Sequence, residues 1–333
     1  MSRIALLCPG RGSYAEKQLA SLPASHPWID AAEGIRREHG LQPLAELDRA
    51  AKFDRKVHLH PANVSPLIYL VSMLDAAAVQ AEHRAVAVAG NSLGWYTALA
   101  VGGALSFEDG FRLVQEMSRL QHEHQEAHGG GQVIFPLVGE DWRRDPAREE
   151  AVEAAVASSG GEAFPSIRLA GLAVLAGSDA GIAHLKSTLP KVKSGSNQYP
   201  IQLEQHGPYH TPLVSGVAER ARATLSHLAF TRPRVTLIDG RGVRFSPWST
   251  DVDALRSYTL GPQIVEPFDF GLSIRVALRE HAPEHLVCPG PGNTLGGVVG
   301  QALVAEGWRG IRDKEDFTRV QEGAQPVLVS MRR

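Results

Sequence analysis

Three stretches of this chain are apolar without alternation, and each ends where glycine breaks it: Arg3 to Cys8 before Pro9-Gly10, Ala85 to Gly90, and Glu284 to Gly290 around Leu286-Val287-Cys288. A strand with one face in water alternates apolar and polar residues. Unalternating runs fit strands buried on both faces, which is the condition of a parallel sheet covered by helices. Helical periodicity lies between them. Ser65 to Gln80 is one such segment and Ser106 to His128 another. In the second, Ser106 and Asp109 form a capping-box start, Phe111, Val114, Met117 and Leu120 recur on one face, and Gly129-Gly130-Gly131 ends the pattern. The expectation is an α/β protein with a large parallel-sheet domain.

The rhythm changes in the middle of the chain. Between residues 131 and 206 the pattern reads strand, helix, strand, strand, helix, strand, a split βαβ unit. We expect an inserted subdomain there, with residues 1–130 and 207–333 forming the larger domain. After about residue 308 the chain is polar and weakly patterned. With 333 residues, 43% of them hydrophobic, the chain can bury a sizeable core. A formal net charge of −2 excludes a general electrostatic pull toward nucleic acid or anionic membrane. No apolar run approaches a bilayer span, and the N-terminal apolar stretch, stopped at once by Pro9-Gly10, reads as a strand and not a signal peptide. Two cysteines, Cys8 and Cys288, imply no disulfide framework and fit a reducing cytoplasm.

Gly90-Asn91-Ser92-Leu93-Gly94 stands between an apolar run and a helical pattern. A strand, Gly-x-Ser-x-Gly and a helix make the setting of a nucleophile elbow, in which the turn exposes the serine hydroxyl and aims the next N–H at the same spot. On the motif alone, an ordinary tight turn without chemistry is an equal reading in a chain with 33 glycines. A serine nucleophile also needs a base. Of 14 histidines, those from His122 to His128 read as a solvated helix end, and His58 and His60 carry no partner pattern. His210 is different, since Gly207-Pro208 and Thr211-Pro212 constrain the backbone around it.

Four segments together resemble the malonyl-CoA:acyl-carrier-protein transacylase family, including the acyltransferase domains of polyketide synthases. CPGRGS near the N-terminus resembles the family's Pro-Gly-Gln-Gly-Ser, and GNSLGWYTALAVGGALSFEDGFRLV its Gly-His-Ser-Leu-Gly-Glu-Tyr segment with the helix beyond. GPYHTPLV resembles the segment holding the family's histidine, and CPGPGNTLGGVV its C-terminal Gly-Pro-Gly. The resemblance implies an α/β-hydrolase-like large domain with a ferredoxin-like small one. It implies a ping-pong reaction in which Ser92 attacks an acyl thioester with His210 as base, and the oxyanion rests on the backbone N–H groups of Leu93 and Arg11. The histidine is then oriented by a backbone carbonyl. No bound cofactor, metal, nucleic acid or membrane is implied; the partners are acyl-CoA and the phosphopantetheine thiol of an acyl carrier protein, in fatty acid or polyketide synthesis.

The departures gather at the site. Asn91 stands for the family's His, Trp95 for its Glu and Arg11 for its Gln, while Asn91, Trp95, Tyr209 and Met117 are the expected acyl-pocket residues. The Arg11 side chain is expected in solvent, and Trp95 is expected to shield the acyl ester. Met117 occupies the place of the arginine that pairs with a malonyl carboxylate in this family. Arg119 and Arg112 fall on other sectors of the same helix. An uncharged acyl group is therefore expected. The alternatives are malonyl bound through Arg168, although Arg168 reads more readily as a surface charge on a strand, or a hydrolase that strips acyl groups from carrier proteins. A degenerate scaffold is disfavoured because both Ser92 and His210 are present, and a lipase-like enzyme because no acid is marked between them. Lys186, Lys191 and Lys193 are the candidate basic patch for an acidic carrier protein, although they read more readily as a solvated loop.

Overall fold

A computed structural model describes residues 1–332. β1 (Arg3–Cys8) and β2 (Arg84–Gly90) pair in parallel over their whole lengths. The chain then builds β3 (Gly131–Pro136), β4 (Ala163–Leu169), β5 (Leu172–Gly177), the hairpin of β6 (Val192–Ser194) and β7 (Asn197–Tyr199), and β8 (Ile201–Gln202). It returns through β9 (Thr236–Ile238), β10 (Arg244–Phe245), β11 (Phe268–Asp269), β12 (His285–Cys288) and β13 (Leu328–Ser330).

Two main sheets result. The larger has the order β10-β9-β2-β1-β12-β13 and is parallel except for the β9–β10 pair. Ile4 to Cys8 of β1 are all 0% exposed, so side chains on both faces of the strand are covered, which is why the run does not alternate. The smaller sheet has the order β11-β4-β5-β3-β8. Its β3, β4, β5 and β8 are antiparallel neighbours, joined through helices Pro146–Ala157 and Asp179–Thr188 in ferredoxin-like fashion. β11, from the returning chain, adds a parallel edge to β4 and ties the small sheet to the large domain. The architecture is the expected mixed α/β one. We propose residues 131–206 as the inserted subdomain and 1–130 with 207–333 as the larger domain.

Helix Phe107–His128 starts as expected, with Ser106 Oγ accepting from the Asp109 N–H at 3.0 Å. It packs on helix Pro61–Glu82, which begins before Ser65 because Pro61 suits a first helical position and His60 Nδ1 accepts from the Ala62 N–H. That 22-residue helix corrects one expectation: by length and composition it could cross a membrane. It is instead a core helix, with Leu67 to Val71 all 0% exposed, and a helix buried on every side reads as apolar all round. The weakly patterned C-terminal stretch is nonetheless structured. It carries helix Lys314–Gln321 and β13, which pairs with β12 at the edge of the larger sheet. A three-residue edge strand is too short to leave a periodic trace.

Candidate active site

β2 ends at Gly90 and helix Leu93–Val101 begins three residues later, so Ser92 sits in the turn between them. Its backbone is at φ +54°, ψ −110°, a conformation that residues with side chains rarely adopt. The flanking glycines are set by close approach. A Cβ on Gly90 would lie 2.0 Å from the Gly94 carbonyl oxygen, and one on Gly94 would lie 2.2 Å from the carbonyl oxygen of Cys8 at the end of β1. The motif is thus a packing requirement of this turn, and it holds the Ser92 hydroxyl out of the strand.

Ser92 Oγ lies 2.7 Å from Nε2 of His210. His210 comes from the segment returning from the small sheet and is 3% exposed. Its Nδ1 is 2.7 Å from the Gln263 carbonyl, and its N–H donates to the Ile264 carbonyl at 3.0 Å. A carbonyl only accepts, so Nδ1 carries the proton and Nε2 is left to accept from the serine. Burial pushes the His210 pKa down to about 4, opposed by the bond to Gln263, so the imidazole is neutral at neutral pH. The Gln263 side chain is held in turn: Oε1 accepts from Tyr96 at 2.7 Å and Nε2 donates to the Ser92 carbonyl at 3.3 Å. Gln263 was missed in the sequence, because a backbone carbonyl can come from any residue type and leaves no signature.

Ser92 and His210 face a cavity of about 260 Å³ that Arg11, Asn91, Leu93, Met117 and Tyr209 also line. Among the described residues neither the Leu93 nor the Arg11 backbone N–H donates to another protein group. The lining is mostly apolar, with Ile134, Ile167, Leu169, Leu172 and Val174 from the small sheet together with Leu295 and Val298, and Ser118, Gln121 and Gln132 add polar side chains to it. Met117 is 1% exposed in that lining.

Several expectations are corrected. Trp95 does not line the cavity. It is fully buried behind the elbow, where Nε1 donates to Thr259 Oγ1 at 3.1 Å and the ring meets Tyr258 edge-on, so it shields no ester. The Arg11 side chain is half-buried and not free in solvent: Nη1 donates to the Tyr209 hydroxyl at 2.9 Å and to the Gln205 carbonyl at 3.1 Å. Arg168 keeps the surface position favoured for it and does not reach in. Strand alternation puts Ile167 and Leu169 on the cavity side, while Arg168 points away and pairs with Glu149 at 3.0 Å. Arg119 pairs with Glu116 and Glu123, and Arg112 with Glu38, so both are engaged outside the cavity as their helix positions imply. The His122 side chain is not simply solvated, since its Nε2 lies 3.1 Å from Nε2 of His60.

No family model matches the chain. It is 26% identical over 303 residues to a malonyl CoA-acyl carrier protein transacylase of Salmonella typhimurium, covering 90% of this chain and 92% of that protein. Among solved structures, a malonyl-CoA:acyl carrier protein transacylase from Xanthomonas oryzae superposes with a TM-score of 0.73 at 21% identity, covering 91% of this chain and 92% of the other. A malonyl-transacylase solved in complex with its type II polyketide acyl-carrier protein superposes with a TM-score of 0.74 at 19% identity, covering 100% and 96%. These structures share the fold.

Proposed function

We propose that this chain, a relative of the malonyl-CoA:acyl-carrier-protein transacylases, is a serine-dependent acyltransferase moving an acyl group between CoA and the phosphopantetheine thiol of a carrier protein. The observation that carries the reading is the 2.7 Å contact between Ser92 Oγ and a His210 whose tautomer is fixed by Gln263. In the first half-reaction Ser92 attacks the thioester carbonyl and its proton passes to His210 Nε2. The tetrahedral oxyanion is held by the N–H groups of Leu93, at a helix N-terminus, and of Arg11. Collapse expels the CoA sulfur, which takes the proton from His210. The carrier thiol then repeats the sequence against the acyl-serine. No bound cofactor enters the reaction, and its substrates belong to the cytoplasm.

The acyl group in this reading is uncharged. The apolar walls and Met117 offer a carboxylate no partner at the place where an arginine is expected, and burying one unpaired costs several kcal/mol. A specific observation supports a second reading, malonyl transfer. The relatives carry that substrate in their names, and Arg11 places a guanidinium on the cavity with no acid within 4 Å among the described residues. Malonyl would have to draw that guanidinium away from Tyr209 and Gln205. Hydrolysis remains the competing fate of the acyl-serine, all the more because Trp95 does not cover it. Ser92→Ala decides the core of the proposal: it is expected to take up no acyl group from any acyl-CoA, and acylation at the wild-type rate would refute it.

A further inference from the structure

Part of the cavity wall is polar in a way that acyl transfer itself does not use. β3 alternates: Val133 and Phe135 pack into the core of the small sheet, while Gln132 and Ile134 line the cavity. Gln132 is 1% exposed. Its amide belongs to a chain of hydrogen bonds that ends beside the catalytic histidine. Gln132 Nε2 lies 2.8 Å from Ser166 Oγ, and Ser166 Oγ donates to the Tyr209 carbonyl at 2.8 Å. A carbonyl only accepts, so the hydroxyl proton of Ser166 goes to Tyr209 and Ser166 must accept from Gln132. The amide is thereby fixed with its nitrogen toward Ser166, and Oε1 is left as an acceptor. Among the described residues Oε1 has no partner, and it is open to the cavity rather than sealed in the protein. Ser118, also 1% exposed in the lining, donates its proton to the Val114 carbonyl at 2.7 Å and offers the cavity only lone pairs.

An acceptor held this way selects what is packed against it. A saturated acyl chain covering Oε1 leaves it buried and unpaired, which costs the full desolvation of the group. A carboxylate or a ketone brings only further lone pairs. An ammonium brings donors, but among the described residues no Asp or Glu lines the cavity to balance its charge. A hydroxyl brings a donor without a charge. The other polar groups of the lining do not compete for this choice. Gln263 is engaged at both ends of its amide, by Tyr96 and by the Ser92 carbonyl. Arg11 donates to Tyr209 and Gln205. Gln121 is half-buried and can turn either end of its amide inward, so it accommodates a donor or an acceptor alike. The selection therefore rests on Gln132.

We propose that the acyl group carried on Ser92 bears a hydroxyl that donates to Gln132 Oε1, so that Gln132 sets a preference for short hydroxyacyl thioesters over their deoxy counterparts. This rests on the acyltransferase reading above and on its uncharged acyl group. The test compares kcat/KM for Ser92 acylation by butyryl-CoA and by the hydroxybutyryl-CoA isomers carrying the hydroxyl on the second, third or fourth carbon. These thioesters share one carbon skeleton and differ only in the hydroxyl. The expected result is that at least one isomer exceeds butyryl-CoA by roughly 3- to 10-fold, the yield of one buried hydrogen bond. Gln132→Leu should bring that ratio to about one or below. Ser166→Ala keeps Oε1 in place but lets the amide turn, and should lower the ratio by less. A wild type acylated by butyryl-CoA as fast as by every isomer overturns the proposal, and so does a preference that survives undiminished in Gln132→Leu. The wild-type comparison needs no variant, so a Gln132→Leu protein that fails to fold leaves the decision to it and to Ser166→Ala. Failure of the readings beneath looks different: a wild type acylated fastest by malonyl-CoA refutes the uncharged acyl group, and one not acylated at Ser92 by any thioester refutes the acyltransferase itself.

Discussion

Met117→Arg is the perturbation that bears most on what the enzyme carries. Met117 is 1% exposed and lines the cavity together with apolar side chains of the small sheet. In the wild type a malonyl carboxylate beside Met117 gains a cation only if Arg11 leaves Tyr209 and Gln205, whereas each methylene of an apolar acyl chain gains about 0.8 kcal/mol on burial. Butyryl should therefore exceed acetyl by up to about 1.6 kcal/mol, or roughly 15-fold in kcat/KM, from its two extra methylenes. Malonyl should fall below acetyl. Arginine at 117 supplies a bidentate partner in a partly dry site, worth roughly 2–4 kcal/mol, or about 30- to 1,000-fold in the malonyl-to-acetyl ratio of kcat/KM. That range is a ceiling, because Met117 also packs in the core and the surroundings are not built for a guanidinium. The assay is Ser92 acylation by each CoA thioester, with Met117→Leu as a control that keeps the wild-type order. A wild type that prefers malonyl-CoA refutes the reasoning, and Arg11→Gln is then the variant that should abolish the preference.

His210→Ala should slow acylation by roughly 10²–10⁴-fold, and a normal rate at neutral pH would remove it from the reaction. Because burial holds the His210 pKa near 4, the acid limb of kcat/KM for acylation should fall at about that pH; a limb near 6.5 would show that the imidazole is not desolvated as the fold implies. The same depression affects stability. Between pH 6.5 and 4 the unfolded chain binds a proton that the folded one refuses, so stability declines as pH falls through that window, by on the order of 3 kcal/mol from this group, readable in urea midpoints. Gly94→Ala should destabilise the fold by about 3 kcal/mol, since the new Cβ meets the Cys8 carbonyl; an unchanged melting temperature would contradict the packing account of the elbow.

Much of the site was legible because it rests on local backbone demands. The elbow glycines, the strand before them and the helix after them lie in one continuous stretch, and their spacing reports a turn that only small residues can make. His210 stood out for the same kind of reason, through the prolines around it. What sequence could not reach was orientation. Trp95 lies in the first turn of a helix beside Ser92, yet its ring turns into the core. Arg11 has the composition of a solvated side chain, but two acceptors on the segment entering His210 hold it half-buried. Gln263 acts through a carbonyl, and β13 through three residues at a sheet edge. Each depends on what distant segments bring alongside, and no local pattern encodes that.

The central claim is that Ser92 accepts an acyl group with His210 as its base and passes it to a pantetheine thiol. Intact-mass spectrometry after incubation with acetyl-, butyryl- and malonyl-CoA reads it directly. The account predicts a single adduct of acyl mass on Ser92, absent in Ser92→Ala, most abundant with an uncharged acyl-CoA and discharged on addition of a phosphopantetheinylated carrier protein faster than in buffer alone. An adduct on another residue, no adduct with any acyl-CoA, or decay that the carrier does not accelerate would contradict it.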